Sequence, residues 1–538
     1  MPNEKLQNSR AKRPMLIINL LMKILRFALI DLPIILIAAT SFANMARSAP
    51  HQITQGTPKA ELGNLLIRTV NKNINCGSKM VIPAGIVLEF TDGAKVLNST
   101  GCTIEFQGIG LRNTESKIAA FSGFLPGDIV WTGDVYPSII STSLWSAPDL
   151  SDKIKNAIAA LAGKQNVTIK ANPGNFGSPW QLKSGQNLYL TKGIYTNSIN
   201  LSDGIEFFLE SNTSVYGDGK NATILQESSR GNRNTRMFGP SGFKEGPFSG
   251  KNEKINLRDF AIEGHPSQVF FDNGPTTIQL GNCTDCHAVG IRLKDTHAYG
   301  IYVGGFRKLG FYAEDSSIEY CEFDHVIAQN SGALNGINIR IVHNKYWNLG
   351  KFATDPLSNA IDVEPNAEDE VTENIIVCDN QIDGRGAKQY WNGILVQTGG
   401  SKHGVNRGEI CRNTILGRDL AIGSQGALLN GLMLAGVFDL NVHDNKVQGA
   451  LQSGIYLNNG QNLDIENNTL TEVAPGGIFA VRVENVTDSR FVNNSIIKIS
   501  RGNDDRFVEI GKSGNNIYTD NRRGSVVLLR GSRETNHQ

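Results

Sequence analysis

Apolar and polar residues alternate in short runs along most of the chain, and the runs recur. One pattern has the form Gly-Ile-x-(Val/Ile/Leu)-x, with some variation. Its copies begin at Thr277, Gly300, Gly336, Ala360, Gly393, Gly431, Gly454 and Gly477. Alternation with a period of two is typical of β-strands that bury every second side chain. The sequence therefore predicts many short strands whose second and fourth residues face a core.

A second pattern, apolar-x-x-Asn-x-apolar, recurs beside the first in the C-terminal half. Its asparagines are Asn344, Asn380, Asn413, Asn445, Asn468 and Asn494, so successive copies lie 36, 33, 32, 23 and 26 positions apart. The short intervals suit one coil of three strands and three turns, and the longer ones add a loop. Asn tolerates left-handed backbone geometry, and stacked amides can bond between coils. We expect a structural asparagine ladder at a tight bend.

One short helix is predicted over 152–162, before the strand-rich region. Ile154, Ile158 and Leu161 lie on one helical face, and Ser151 is the expected N-cap. A helix at this point would cap the open end of a stack of coils.

The stretch LSDKIKNAIAAL, followed by LYLTKGIYTNSINL and SVYGDGKNATIL, resembles the opening of pectate-lyase-superfamily β-helix proteins. With the repeats, the resemblance covers roughly residues 145 to 500. It implies an all-β fold, a right-handed single-stranded parallel β-helix with a short capping helix, and work on a polysaccharide. The polygalacturonase motifs N-T-D, G-H-G and R-I-K, the epimerase motif D-P-H-D and the lyase motif R-x-P-x-x-R are missing. The resemblance therefore names no reaction.

The N-terminus has the order of a secretory signal. Lys23 and Arg26 precede an apolar run that ends in the small residues around Ser41 and Ala43. We predict a signal peptide or N-terminal anchor at 1–48, with Met22 as an alternative start. An N-terminal β region at 49–140, the β-helix at 141–500 and a C-terminal cap and tail at 501–538 follow. The expected location is secreted, periplasmic or at the cell surface.

The net charge of the chain limits the kinds of partner that we expect it to bind. The net charge is +1, so neither nucleic acid nor a membrane beyond the N-terminal segment is an expected partner.

Of the seven cysteines, Cys76 and Cys102 occupy matching contexts about one coil apart, and so do Cys378 and Cys411. Stacking would bring each pair within disulfide distance, with buried free thiols as the alternative.

The third and fifth residues of the first pattern face outward, and they predict a polysaccharide-binding cleft. In this register a polar patch spans three coils and lies between two tyrosines, with further candidates on the bordering loops. The patch comprises Asn338, Arg340, Asp362, Glu364 and Gln397, the tyrosines are Tyr302 and Tyr456, and the loop residues are Lys388, Tyr390 and His403.

The chemistry of this patch centres on two carboxylates. Asp362 and Glu364 would lie about 6.5–7 Å apart on one strand, which suits acid–base work on a glycosidic bond or a Ca²⁺ site. Arg340, one coil away, would neutralise the carboxylate of an acidic sugar. This favours a lyase slightly over a hydrolase. A uronate-polymer epimerase, a non-catalytic carbohydrate-binding or surface scaffold, and a merely solvated surface are the alternatives.

Overall fold

The computed structural model describes residues 65–528, apart from 92, 113–118, 202–203, 228–234, 242–251, 265–275, 297–298, 305–311, 351–357, 366–367, 388–390, 400, 418–427, 474–478, 498–506 and 523–525. The predicted signal peptide or anchor lies outside these residues. Every strand pairing within them is parallel and joins strands of neighbouring coils, as in the pairing of Ile361 with Ile394. The predicted parallel β-helix is confirmed. Among the described residues, no helix is both long and apolar enough to cross a membrane.

The front sheet is one series of strands within a 31-stranded sheet, and it carries most copies of the first sequence pattern. Its strands are Trp180–Leu182, Gly204–Leu209, Thr235–Pro240, Thr276–Leu280, Tyr299–Val303, Ser331–Ala333, Ser358–Val363, Trp391–Gln397, Leu428–Ala435, Ala450–Gln461, Val481–Thr487, Phe507–Ile510 and Val526–Leu528. Its inward residues stack into one apolar column because each coil repeats the same alternation. That column includes Ile278, Ile301, Ile361, Ile394, Leu432 and Ile455, all with no exposed surface.

The rear sheet is the second series of the same 31-stranded sheet. Its strands are Ile139–Ser141, Val167–Ala171, Gln186–Leu190, Thr213–Gly217, Ile255–Arg258, His287–Val289, Ser317–Glu319, Arg340–Val342, Thr372–Cys378, Val405–Cys411, Val437–His443, Asp464–Glu466, Arg490–Val492 and Ile517–Thr519. Four two-residue strands precede rear strands: Asn252–Glu253, Cys283–Thr284, Ala313–Glu314 and Gly336–Ile337. The last rear strand, Ile517–Thr519, lies in the segment predicted as a C-terminal cap, so the stack of coils continues into that segment.

The side sheet has 12 strands and completes each coil. Its strands are Asn175–Phe176, Gly193–Asn197, Thr223–Gln226, Ala261–Glu263, Arg292–Lys294, Glu322–Asp324, Lys345–Trp347, Gln381–Asp383, Thr414–Leu416, Lys446–Gln448, Thr469–Thr471 and Ser495–Ile497.

The asparagine ladder lies at the turn between the rear and side sheets, and its prediction is confirmed. Each ladder amide donates to the next ladder carbonyl, as Asn413 Nδ2 does to Asn445 Oδ1 at 2.9 Å, and the column extends to Asn521. The six predicted ladder asparagines are fully or almost fully buried, and Asn521 is partly buried. The left-handed conformation belongs to the residue before each of them, for example Asp379 with a φ of 60°. The ladder asparagine therefore supplies hydrogen bonds, and its neighbour makes the bend.

The helix spans Leu150–Ala160 and packs against the strands Val167–Ala171 and Trp180–Leu182 of the first coil. This is the capping position that the sequence predicted. Its N-cap, however, is Asp149, whose Oδ1 accepts from the Asp152 amide at 2.9 Å. Ser151 Oγ instead accepts from the Ser178 amide at 3.3 Å. This serine therefore bonds the helix to the first coil and does not cap the helix N-terminus.

An N-terminal β unit precedes the helix and contains three small parallel sheets. Their strands are Leu66–Val70, Ile86–Phe90 and Gly110–Leu111; Ile74–Cys76, Val96–Asn98, Phe121–Ser122 and Trp145–Ser146; and Met80–Ile82, Ile104–Phe106 and Ile129–Trp131. A 3-10 helix, Thr142–Leu144, leads out of the unit.

Three disulfides occur among the described residues. Cys76 pairs with Cys102 and Cys378 with Cys411, with Cα atoms 5.6 and 4.5 Å apart, as the coil spacing predicted. A third joins Cys283 to Cys286. Cys321 is buried and unpaired, and burial raises the pKa of its thiol to about 12.

Candidate functional site

The outward column of the front sheet carries the candidate site. Parallel pairing stacks Tyr302 on Gly332, Gly332 on Asp362 and Asp362 on Leu395. The same column continues through Met433 to Tyr456. The placement of Tyr302, Asp362 and Tyr456 in one column therefore agrees with the sequence register, although Tyr456 lies three coils beyond Asp362.

The side chain of Asp362 is fully buried, with no exposed surface. Its Oδ2 lies 3.2 Å from Tyr302 Oη, whereas its Oδ1 has no hydrogen-bond partner among the described residues. Burial, followed by the nearby carboxyl of Glu364, raises the pKa of Asp362 well above its usual range. Asp362 is therefore a carboxyl group that the fold favours in the protonated state.

The hydrogen bonds of Tyr302 agree with a protonated Asp362. Tyr302 Oη also lies 2.7 Å from Gln329 Oε1, which can only accept. A phenol has one hydrogen, so Tyr302 cannot donate to both oxygens at once. Both contacts are satisfied when protonated Asp362 donates to Tyr302, which then donates to Gln329.

Gly332 makes the contact between Tyr302 and Asp362 possible. These two residues are separated by a whole coil, and Gly332 is the residue between them. A Cβ at this glycine would lie 2.2 Å from the Asp362 carbonyl oxygen and 2.5 Å from the Tyr302 ring. The missing side chain leaves the space in which the ring crosses to the next coil.

Glu364 is the second carboxyl group, and it is only partly buried. Gln397 Nε2 donates to its Oε1 at 2.5 Å. Burial raises the pKa of Glu364, and the hydrogen bond from Gln397 partly opposes this shift by stabilising the charged form. Since Asp362 is fully buried whereas Glu364 is only partly buried, the pair keeps its proton on Asp362 and its charge on Glu364.

Arg340 does not join this pair, which corrects the predicted register. Arg340 lies in the rear sheet, where it stacks between Ser317 and Ile376. The coil residue between Tyr302 and Asp362 is Gly332 of the short strand Ser331–Ala333. The GINIR stretch fails as a front strand because it turns in its middle.

Asn338 makes that turn. Its backbone is left-handed, with a φ of 58°, and its Nδ2 donates to Asp315 Oδ1 at 2.7 Å. Asn338 therefore lies between Gly336–Ile337 and the rear strand Arg340–Val342, outside the front column. With Arg340 also displaced, no cation among the described residues bonds to Asp362 or Glu364.

The loop residues divide into two groups. His403 is exposed on the loop that follows the front strand Trp391–Gln397, and its carbonyl accepts from Asn406 Nδ2 at 2.6 Å. Lys388 and Tyr390 lie outside the described residues. The loop position of His403 agrees with prediction, and its role in binding stays a prediction.

Two charged residues of the front sheet, Arg482 and Glu484, were not predicted from the sequence. Arg482 stacks on the Tyr456 ring at 4.6 Å and donates to Glu484 Oε2 at 2.7 Å. Tyr456 pairs with Arg482 in register, whereas the sequence placed Phe479 beside it. The pattern beginning at Gly477 is thus displaced from the strand Val481–Thr487. Alternation in V-R-V-E was the available signal.

The predicted Ca²⁺ site offers few oxygen ligands among the described residues. Ca²⁺ takes six to eight oxygens, whereas the pair offers two carboxyl groups that already have Tyr302 and Gln397 as hydrogen-bond partners. Elsewhere among the described residues, the possible ligand atoms of Cys378, Glu409 and Cys411 lie within 4.8 Å of one another, but a disulfide joins the two cysteines. Calcium at Asp362 and Glu364 stays a prediction.

Comparison with known proteins gives similarity in fold. No family model and no curated protein matches the chain. Solved structures that resemble it include the A-module of mannuronan C-5 epimerase AlgE4 of Azotobacter vinelandii (14% identity, 65% of this chain and 91% of that chain, TM-score 0.44). A second is the Family 28 exopolygalacturonase of Yersinia enterocolitica (11% identity, 73% of this chain and 80% of that chain, TM-score 0.48). A third is the surface adhesin PfbA of Streptococcus pneumoniae (14% identity, 67% of this chain and 93% of that chain, TM-score 0.46). Similarity at this level concerns the fold alone.

Proposed function

We propose that the protein is an exported polysaccharide-cleaving enzyme whose site is the Asp362–Glu364 pair of the front sheet. The observation that carries the proposal is a buried carboxyl group, Asp362, beside the partly exposed carboxyl group of Glu364, with no cation bonded to either among the described residues. Burial raises the pKa of both groups, and carboxyl groups with a raised pKa are suited to proton transfer at a glycosidic oxygen. A long sheet face also gives an extended polymer a surface to lie on.

Glu364 is the group that would contact the sugar, because it is partly exposed while Asp362 is buried. As the ionised member of the pair, it would take a proton from the attacking water and pass that proton to the glycosidic oxygen as the bond breaks. Asp362 is a positioning residue in this scheme. Its proton and its burial decide how readily Glu364 becomes charged.

Hydrolysis fits this site better than elimination. Elimination from a uronate requires a group that neutralises the sugar carboxylate, and the predicted group, Arg340, lies in the rear sheet. The negative charge on Glu364, with no cation beside it among the described residues, would repel such a sugar. We therefore propose an uncharged sugar at the cleaved bond, which replaces the lyase and epimerase hypotheses.

The proposal is tested by incubating purified protein with neutral and acidic polysaccharides and measuring new reducing ends and unsaturated uronates. Glu364→Gln should lower turnover at least about a hundredfold, which is the usual contribution of a general acid–base. Glu466→Gln, a matched change on the rear sheet, should leave turnover unchanged. Unsaturated products would overturn hydrolysis in favour of elimination.

Asp362→Asn separates a positioning role from a structural one. It keeps this position neutral at every pH, so any loss of rate in alkaline solution that comes from ionisation of Asp362 should disappear. A profile that keeps its shape would contradict the coupling.

The complete burial of Asp362 favours a second candidate, a non-catalytic carbohydrate-binding or surface protein. In that case Asp362 only shapes the front sheet. The wild-type protein would bind oligosaccharides without producing reducing ends, and Glu364→Gln would change binding alone.

A further inference from the structure

A cluster of Asp, His and Ser side chains lies on the rear sheet, away from the front column. His287 and Ser317 occupy the same position on neighbouring coils and pair in register. Ser317 Oγ lies 2.8 Å from His287 Nδ1, and Asp285 Oδ1 lies 2.7 Å from His287 Nε2. We propose that these three residues form a serine-hydrolase triad that cleaves small acyl esters.

The hydrogen bonds give His287 the tautomer that such a triad requires. A carboxylate can only accept, so the imidazole proton lies on Nε2 and is donated to Asp285. Nδ1 is then an acceptor, and Ser317 Oγ–H donates to it. This arrangement prepares Ser317 to lose its proton to His287.

Asp285 is held in place by the local backbone. It has a left-handed φ of 57°, and the disulfide between Cys283 and Cys286 closes the loop that contains it. A fixed carboxylate orients the imidazole that it contacts. The orienting group is thus more constrained than an exposed aspartate on an open loop.

Arg340, displaced from the front sheet, lies directly over Ser317 on the next coil. Its side chain is 44% exposed, and its Nε lies 3.5 Å from Glu319 Oε1. Arg340 is thus one coil from the nucleophile, and its guanidinium would have to turn from Glu319 toward Ser317 to stabilise the oxyanion that forms when Ser317 adds to a carbonyl. Ser317 itself is 2% exposed. Its position at the floor between His287 and Arg340 restricts the acyl group to a small one, such as acetyl.

Other serines at the turns of the stack behave differently. Ser316 Oγ donates to the Glu314 carbonyl at 2.8 Å, and Ser489 Oγ donates to the Thr487 carbonyl at 2.9 Å. Those hydroxyls complete the backbone hydrogen bonding of turns. Ser317 donates to an imidazole instead, so its contact is not needed by the backbone.

The reaction is a balanced ester hydrolysis. Ser317 Oγ bonds to the carbonyl carbon while its proton passes to His287, and His287 then protonates the departing alcohol as the ester C–O bond breaks. Water, deprotonated by His287, attacks the acyl-serine and forms a new C–O bond; the bond to Ser317 then breaks as His287 returns the proton to Ser317 Oγ. Ester and water give acid and alcohol.

The test uses the full chain with p-nitrophenyl acetate and with a fluorophosphonate probe followed by peptide mapping. We expect p-nitrophenol release and a phosphonyl group on Ser317. Ser317→Ala and His287→Gln should each lower the rate at least about a hundredfold, the scale of general-base catalysis. Asp285→Asn should lower it too, because it disturbs the tautomer.

The matched control is Ser214→Ala. Ser214 occupies the same outward column three coils earlier and pairs with Asn187 and Asn256 rather than histidine. It should keep the full rate and remain unlabelled. A wild-type rate equal to that of Ser317→Ala, or an unlabelled Ser317 in folded protein, would overturn the triad. Circular dichroism of each variant reports folding separately.

Discussion

The asparagine ladder and the outward column of the front sheet are both stacks of side chains one coil apart, yet they use that spacing in opposite ways. In the ladder the same residue recurs from Asn344 to Asn521, and every amide that bonds to the next coil has an equivalent partner. In the front column the residue changes at each level. Asp362 consequently has one carboxyl oxygen without a partner among the described residues.

The difference separates stability from chemistry. Identical residues at a fixed spacing satisfy one another, so the ladder adds hydrogen bonds that hold neighbouring coils in register. Unlike residues leave a buried polar group uncompensated, which costs stability and raises a pKa. A protein keeps such a group where it has a use for the altered proton affinity.

The largest expected effect comes from breaking the ladder. Asn413 donates to the Val377 carbonyl and to Asn445, and its Oδ1 accepts from the amide and the side chain of Asn380. Asn413→Ala leaves these buried partners unsatisfied, so it should lower the free energy of unfolding by about 3 kcal/mol or more. Urea unfolding followed by circular dichroism measures the change.

Asn441→Ala is the control, because that asparagine is exposed on the rear strand of the next coil. It should change stability by no more than about 0.5 kcal/mol. Equal effects of the two substitutions would remove the distinction between ladder and surface asparagines.

A smaller effect is expected where the front column departs from repetition at Gly332. Gly332→Ala puts a methyl group against the Asp362 carbonyl and the Tyr302 ring. Overpacking of this kind costs about 1–3 kcal/mol. The substitution should also push Tyr302 away from Asp362, and a crystal structure would show the lost contact. Retained geometry with unchanged stability would contradict the crowding.

The same contrast explains how much could be predicted. The parallel β-helix and the ladder followed from repetition, because six copies of one asparagine pattern define both coil and column. The pairing of Cys378 with Cys411 followed as well, since it needs only the coil spacing. Residues that repeat identify their own register.

The front site was predicted only in part, because its register had to be counted from strands that resemble one another. Alternation continues through GINIR, although Asn338 turns the chain between Ile337 and Arg340. Local alternation cannot distinguish one strand from two short strands around a single turn residue.

The offset to the ladder was a partial signal for this register, because it is 13 in coils with a short connection between the front and rear strands but 19 from Ile361 to Asn380 and from Ile394 to Asn413. Leu432 precedes Asn445 by 13 positions, and Ile455 precedes Asn468 by 13. Counting back 13 from Asn344 gives Ser331, the start of the true front strand Ser331–Ala333. Its S-G-A sequence has no β-branched alternation, so the pattern itself could not reveal it. The Asp285–His287–Ser317 cluster had no repeat to mark it.

The smallest expected effect sharpens the comparison by changing its sign. Asp362→Asn removes a buried acid whose pKa is raised in the folded protein. Folding then binds a proton that the unfolded chain releases, so wild-type stability falls as pH rises above the unfolded pKa of about 3.9. The variant lacks this loss, and its advantage over wild type should grow with pH by at most about 1.4 kcal/mol per pH unit. Denaturant unfolding at several pH values measures the difference, which should vanish in acid. Asn413→Ala destabilises at every pH because the ladder carries no titrating group, so a pH-independent effect of Asp362→Asn would place Asp362 with the ladder rather than with the site.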